Sequence, residues 1–173
     1  MKPTMFIRVT VAATLLALSG WSQAASYSLY ATLDGSQVPT ISPGTGTGLM
    51  TYDDATNQLN WNTSFSGLLA GTTAAHFHGP AAPGSNAGVQ VTMPLGDFLG
   101  TTSGTLIGAA TINDAQEAQL LSNLWYINIH TSTYPGGEIR GQVQVVPLPA
   151  AVWLFGSGIL ALGALIRRRG QAN

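Results

Sequence analysis

The segment from Leu59 to Ser66 alternates without a break. Leu59, Trp61, Thr63 and Phe65 fall on one face, and Asn60, Asn62, Ser64 and Ser66 fall on the other. A side-chain period of two suits a half-buried β-strand and no helix. The pattern recurs in Tyr27–Asp34, Trp125–Thr131 and Glu138–Val146. Weaker candidates lie at Gly46–Tyr52, Thr72–His78, Gly88–Met93 and Gly104–Thr111, separated by Gly, Pro, Asn and Asp clusters. About eight short strands, each with one face to bury, predict an all-β domain: a Greek-key sandwich or barrel. Asp53–Gln58 reads as a hairpin turn, because Asp and Asn satisfy their own backbone, and it carries too few carboxylates for a calcium loop. One short helix is expected over Asp114–Ser122, capped by Asn113 or Asp114 and answered by Gln116 or Glu117, with Leu120 and Leu121 plugging the sandwich.

The two ends of the chain do not fit this pattern. Residues 1–25 carry Lys2 and Arg8, an apolar run from Val9 to Leu18, and small residues around Ser22, Ala24 and Ala25, in the order of a secretory signal peptide. At the other end, Ala150–Ile166 has no charge. A helix of that length spans about 25 Å, enough to cross a bilayer if Arg167, Arg168 and Arg169 snorkel and stay in the cytoplasm. Before it stand Val146, Pro147, Leu148, Pro149 and Ala150, whose two prolines hold the chain extended. This tail, 146–169, resembles a PEP-CTERM sorting signal of the VPLPA type. That resemblance implies an exosortase-type membrane protease as partner, a precursor tethered to the inner membrane, and a mature form that is periplasmic, cell-surface or extracellular.

Between the signals, residues 26–145 form one domain large enough to bury a core. Arg140 is its one basic residue against seven carboxylates, so its net charge is −6 where the whole chain has −1. Such a surface excludes nucleic acid as a direct partner and disfavours anionic lipid and acidic polysaccharide. The chain has no cysteine. Thiol nucleophiles, thiolate ligands and disulfides are therefore absent, and His, Asp and Glu are left as the available chemistry.

All three histidines lie in two short motifs, Ala75–Ala81 (AHFHGPA) and Asn128–Thr131 (NIHT), and Arg140 lies in Tyr134–Gln142 (YPGGEIRGQ). On strands, His76 and His78 share a face opposite Phe77. Trp125, Ile127 and Ile129 turn inward and send His130 outward with Tyr126 and Asn128. The three imidazoles converge only if their strands are neighbours. Converged, they suit copper or zinc; otherwise they hydrogen-bond loop backbone around Gly79–Pro80 and Pro135–Gly137. Glu138 and Arg140, two apart on one strand, are expected to form a structural ion pair, with a ligand-binding arginine as the alternative. Tyr126 and Tyr134 are the candidates for stacking on sugar, since Trp61 belongs to the apolar face.

In their order and spacing these motifs, with the opening Tyr27–Leu33 and the closing Arg140–Val143, resemble the CHRD domain first described in chordin. The resemblance covers essentially the whole exported domain. It implies a β-sandwich module of secreted animal and bacterial proteins, with no catalytic residue to carry over. The expectation is a non-enzymatic surface module that acts by adhesion or structural association with extracellular polysaccharide or matrix proteins. The alternative is a periplasmic or surface protein that binds copper or zinc through His76, His78 and His130.

Overall fold

The computed structural model describes residues 25–147. The expected signal peptide up to residue 24 and the tail from Leu148 onward, including the apolar segment 150–166 and Arg167–Arg169, lie outside the described residues. Among the described residues no helix is long and apolar enough to cross a membrane.

The alternating segments form nine strands: β1 (Ser26–Leu33), β2 (Thr45–Asp53), β3 (Gln58–Ser66), β4 (Thr72–His78), β5 (Val89–Thr92), β6 (Gly104–Thr111), β7 (Tyr126–Thr131), β8 (Ile139–Gln142) and β9 (Gln144–Val145). They build two antiparallel sheets, a five-stranded one ordered β6-β3-β2-β1-β9 and a four-stranded one ordered β5-β4-β7-β8. The result is a sandwich and not a closed barrel. Glu138–Val146, expected as one strand, is divided. Val143 donates to Trp125 O at 2.8 Å and turns its side chain into the core, and the chain passes there from the edge of the four-stranded sheet to that of the five-stranded one. A short segment thereby hydrogen-bonds to both layers. The same edge is closed by Asp34 and Arg140, which exchange backbone hydrogen bonds of 3.2 and 2.9 Å.

The core is the inward half of each alternation. Leu29, Leu33, Tyr52, Leu59, Trp61 and Phe65 of the larger sheet meet Phe77, Ile127, Ile129 and Ile139 of the smaller. Each such side chain contributes roughly 1.5–3 kcal/mol through burial. Trp61 meets Phe77 edge to face with centroids 5.5 Å apart. Glycine makes room for these rings: a Cβ at Gly108, opposite Trp61 in the register, would collide with the indole. The helix α1 (Asp114–Leu121) begins as expected. Asn113 Oδ1 accepts from Gln116 N–H and Gln116 Oε1 accepts from Asn113 N–H, both at 3.0 Å, and Leu120 is fully buried. Leu121 is only partly buried against the core.

Candidate functional site

Neighbouring strands bring the histidines together. In the register of β4 and β7, Ala74 faces His130, His76 faces Asn128 and His78 faces Tyr126, so all three imidazoles stand on the outer side of the four-stranded sheet. Phe77 points inward between them, as the alternation requires. One ring nitrogen from each histidine lies within 4.8 Å of the other two. His76 Nδ1 and His130 Nε2 are 3.2 Å apart, and the three ring centroids are separated by 5.1 to 5.7 Å.

Two of the rings are fixed from behind. His78 Nδ1 hydrogen-bonds Ala87 O at 2.9 Å, and His130 Nδ1 hydrogen-bonds Pro135 O at 2.8 Å. Since a carbonyl only accepts, each Nδ1 carries the proton and each Nε2 has a lone pair, which at His130 can accept from His76 Nδ1–H at 3.2 Å. His78 Nε2 is buried and has no hydrogen-bond partner. Burial is the main cause that lowers the pKa of all three histidines. Mutual repulsion adds to it at His76, repulsion from His130 and Arg140 adds at His78, and the backbone carbonyls oppose it at His78 and His130. The cluster is therefore neutral at neutral pH, the form in which imidazole ligates. Loop hydrogen bonding and ligation are thus compatible, because each uses a different nitrogen of the ring.

The rest of this outer face supports the cluster. The His78 ring stacks on Tyr126 at 5.1 Å with 7° between planes, and the Arg140 guanidinium lies over the Tyr126 ring at 3.3 Å from its centroid. Arg140 donates through Nη2 to Ser85 O at 2.6 Å and through Nη1 to Asn86 Oδ1 at 3.2 Å, while Gln142 Nε2 donates to Ala81 O at 3.0 Å. The loop 79–88 is in this way clamped over the sheet, and Tyr126 and Arg140 are only 2% and 1% exposed. Burial lowers the Arg140 pKa, with the Tyr126 phenol acting in the opposite direction, yet a guanidinium stays charged.

Two expectations change. Glu138 and Arg140 do not pair. Arg140 is held by loop 79–88, whereas Glu138 Oε1 accepts from Ser42 Oγ at 2.5 Å and Leu69 N–H at 2.6 Å, and Oε2 accepts from Thr131 Oγ1 at 2.8 Å. Burial raises the Glu138 pKa, but these bonds and one from Ala70 outweigh it and hold the carboxyl below its usual range. The same-face argument fails because Glu138 precedes β8, just after Gly137 at φ +119°, where the backbone is not extended. Tyr126 is also no stacking surface for sugar, since it is buried against His78 and Arg140. Tyr134 is half-buried in the turn, accepting from Gly137 N–H at 3.0 Å through its carbonyl. Of the sorting residues, Val146 and Pro147 are described, and Val146 N–H donates to Ser28 O at 2.8 Å beside β9. No local pattern in the sequence points to the loop clamp or to the Arg140–Tyr126–His78 stack, which join residues 14 to 61 positions apart.

A family model described as the CHRD domain matches residues 29–143, from β1 to the sheet-crossing Val143. No curated protein and no solved structure matches the chain.

Proposed function

The chain belongs to the CHRD domain family, and we propose that it is a non-enzymatic, exported module that binds one zinc or copper ion through His76, His78 and His130. The buried, unpartnered Nε2 of His78 beside two further imidazoles carries this reading. A buried polar atom without a partner costs about 1–3 kcal/mol, a cost that a bound cation removes. Tetrahedral zinc, with nitrogen ligands at about 2.0–2.1 Å, needs ligand atoms roughly 3.3 Å apart. The 3.2 Å between His76 Nδ1 and His130 Nε2 is close to that spacing. The carbonyls behind His78 and His130 are the outer-shell partners that orient metal-binding histidines. Imidazole alone serves zinc and copper alike, and three protein ligands leave a position for water or a small ligand.

The full chain, stripped with chelator and titrated with Zn(II) and with Cu(II), should bind one equivalent of at least one of them. His76→Ala and His78→Ala should each weaken binding by more than about tenfold. Unchanged stoichiometry and affinity in the double variant would refute the site.

We infer export from residues 1–25, and sorting from the tail: Val146–Ala150 as the processing segment, 150–166 as the membrane segment and Arg167–Arg169 as its cytoplasmic end. An exosortase-type protease is the proposed partner. A tagged chain should become shorter and leave the membrane only in a host that has the protease. Identical size and membrane retention with and without it would reject processing.

A further inference from the structure

The outer face of the five-stranded sheet differs from an ordinary solvated sheet. Its outward positions on β1, β2, β3 and β6 are Ser, Thr, Asn and Gln, with Ala109 and three larger side chains, Tyr30, Leu49 and Ile107. Its carboxylates stand at the strand ends: Asp53 is the last residue of β2, and Asp34 follows β1 at the rim of the sheet. Solvent faces usually take up a chain's charged residues. In a domain of net charge −6, the other carboxylates lie in loops, in α1 or, for Glu138, in the interior.

The polar groups of this face are also unused. Among the described residues, the side chains of Thr47, Thr51, Asn60, Asn62 and Ser64 make no hydrogen bond within the protein, in contrast to the outer face of the other sheet. Two shallow cavities of about 480 and 540 Å³ lie on the sheet, the first between Tyr30, Leu49, Asn62 and Ile107 and the second around Thr47, Ser64 and Thr105. Leu49 and Ile107 are 61% and 74% exposed, and the Tyr30 hydroxyl donates to Gln144 Oε1, which fixes the ring at the furrow's edge.

We propose that this face binds an uncharged polysaccharide, a strand of which lies in the furrow bounded by Tyr30, Leu49 and Ile107. The chemistry of the face selects that partner. Free amides and hydroxyls match sugar hydroxyls, each able to donate and accept, and an aromatic ring with two aliphatic side chains matches the C–H face of a pyranose. The absence of cationic side chains gives an anionic polymer nothing to pair with, and the domain's charge repels it. The apolar side chains at the furrow are Tyr30, Leu49, Ile107 and Val146, a patch that suits a sugar ring and is too small for the dry centre that a stable protein interface needs.

The test is affinity electrophoresis of the full chain in mild detergent through gels containing hydroxyethylcellulose, dextran or galactomannan, with alginate as the anionic control. At least one neutral polymer should retard the protein and alginate should not. Tyr30→Ala and Asn62→Ala should each reduce apparent affinity about tenfold with an unchanged unfolding midpoint, and Leu99→Ala, an exposed position beside the other sheet, should bind as the parent does. Lack of retardation in all three neutral gels, equal retardation by alginate, or unaltered binding in Tyr30→Ala would overturn the proposal. So would a concentration-dependent dimer that Leu49→Asp dissolves, since a second copy would then occupy the face.

Discussion

The two sheets share one core but use their outer faces in opposite ways. Strands of the five-stranded sheet pair in unbroken register, with every second residue open to water and polar side chains free. On the four-stranded sheet the register shifts twice along β4, at Thr72/Ala74 and at Phe77/His78. Its outer side chains are spent on loop 79–88, on one another and on the histidine cluster. An outward side chain on the first sheet is available to a partner at little structural cost. On the second it is part of what holds the loops, so function and stability are coupled there.

Glu138 tests that coupling most severely. Its carboxylate joins the β1–β2 loop through Ser42, the β3–β4 loop through Leu69 and strand β7 through Thr131, with no exposed surface. Glu138→Ala strands these donors in the interior and should cost about 3–5 kcal/mol, read as a lower denaturant midpoint. The sign of the pH effect follows from its lowered pKa. Below the ordinary value near 4.5 the unfolded chain takes up a proton that the folded one refuses. Stability is therefore complete above that pH and falls as pH drops through it and on toward the lower folded value. Glu138→Gln should show a shallower acid limb than the parent. An identical limb, or a loss in Glu138→Ala under about 1 kcal/mol, would mean that the loops are held by their backbone alone.

The same contrast explains what could be read in the sequence. Where one sheet face meets water, period two survives in the residues. The strand around Trp61, the inward Phe77 and the outward His130 are all legible, as is a cap of α1 at Asn113 or Asp114, which falls to Asn113 with Gln116. The four-stranded sheet blurs the signal because both of its faces are covered: β7 and β8 are buried almost throughout, polar residues included. Convergence of the histidines depended on β4 and β7 being neighbours, a matter of topology. The partners of Arg140 lie in a loop whose path no local pattern encodes. Glu138 and Arg140 part because a spacing of two implies a common face only inside an extended strand, and β8 begins one residue after Glu138.

The mildest pair of substitutions separates the sheets most cleanly, since it uses one residue type on both. Asn62 on β3 is exposed, and its amide makes no hydrogen bond among the described residues. Asn62→Ala should change stability by no more than about 0.5 kcal/mol. Asn128 on β7 is buried opposite His76, donates through Nδ2 to Gly136 O at 3.0 Å, and has its Oδ1 against Gly137, where a Cβ would not fit. Asn128→Ala removes that bond and leaves a void beside His76, its partner in the register, so about 1–3 kcal/mol should be lost. Equal costs at the two positions in denaturant titration would show that the outer faces contribute alike. A near-neutral Asn62 beside a costly Asn128 would place the polar contribution to stability on the histidine face and leave the other face free for a ligand.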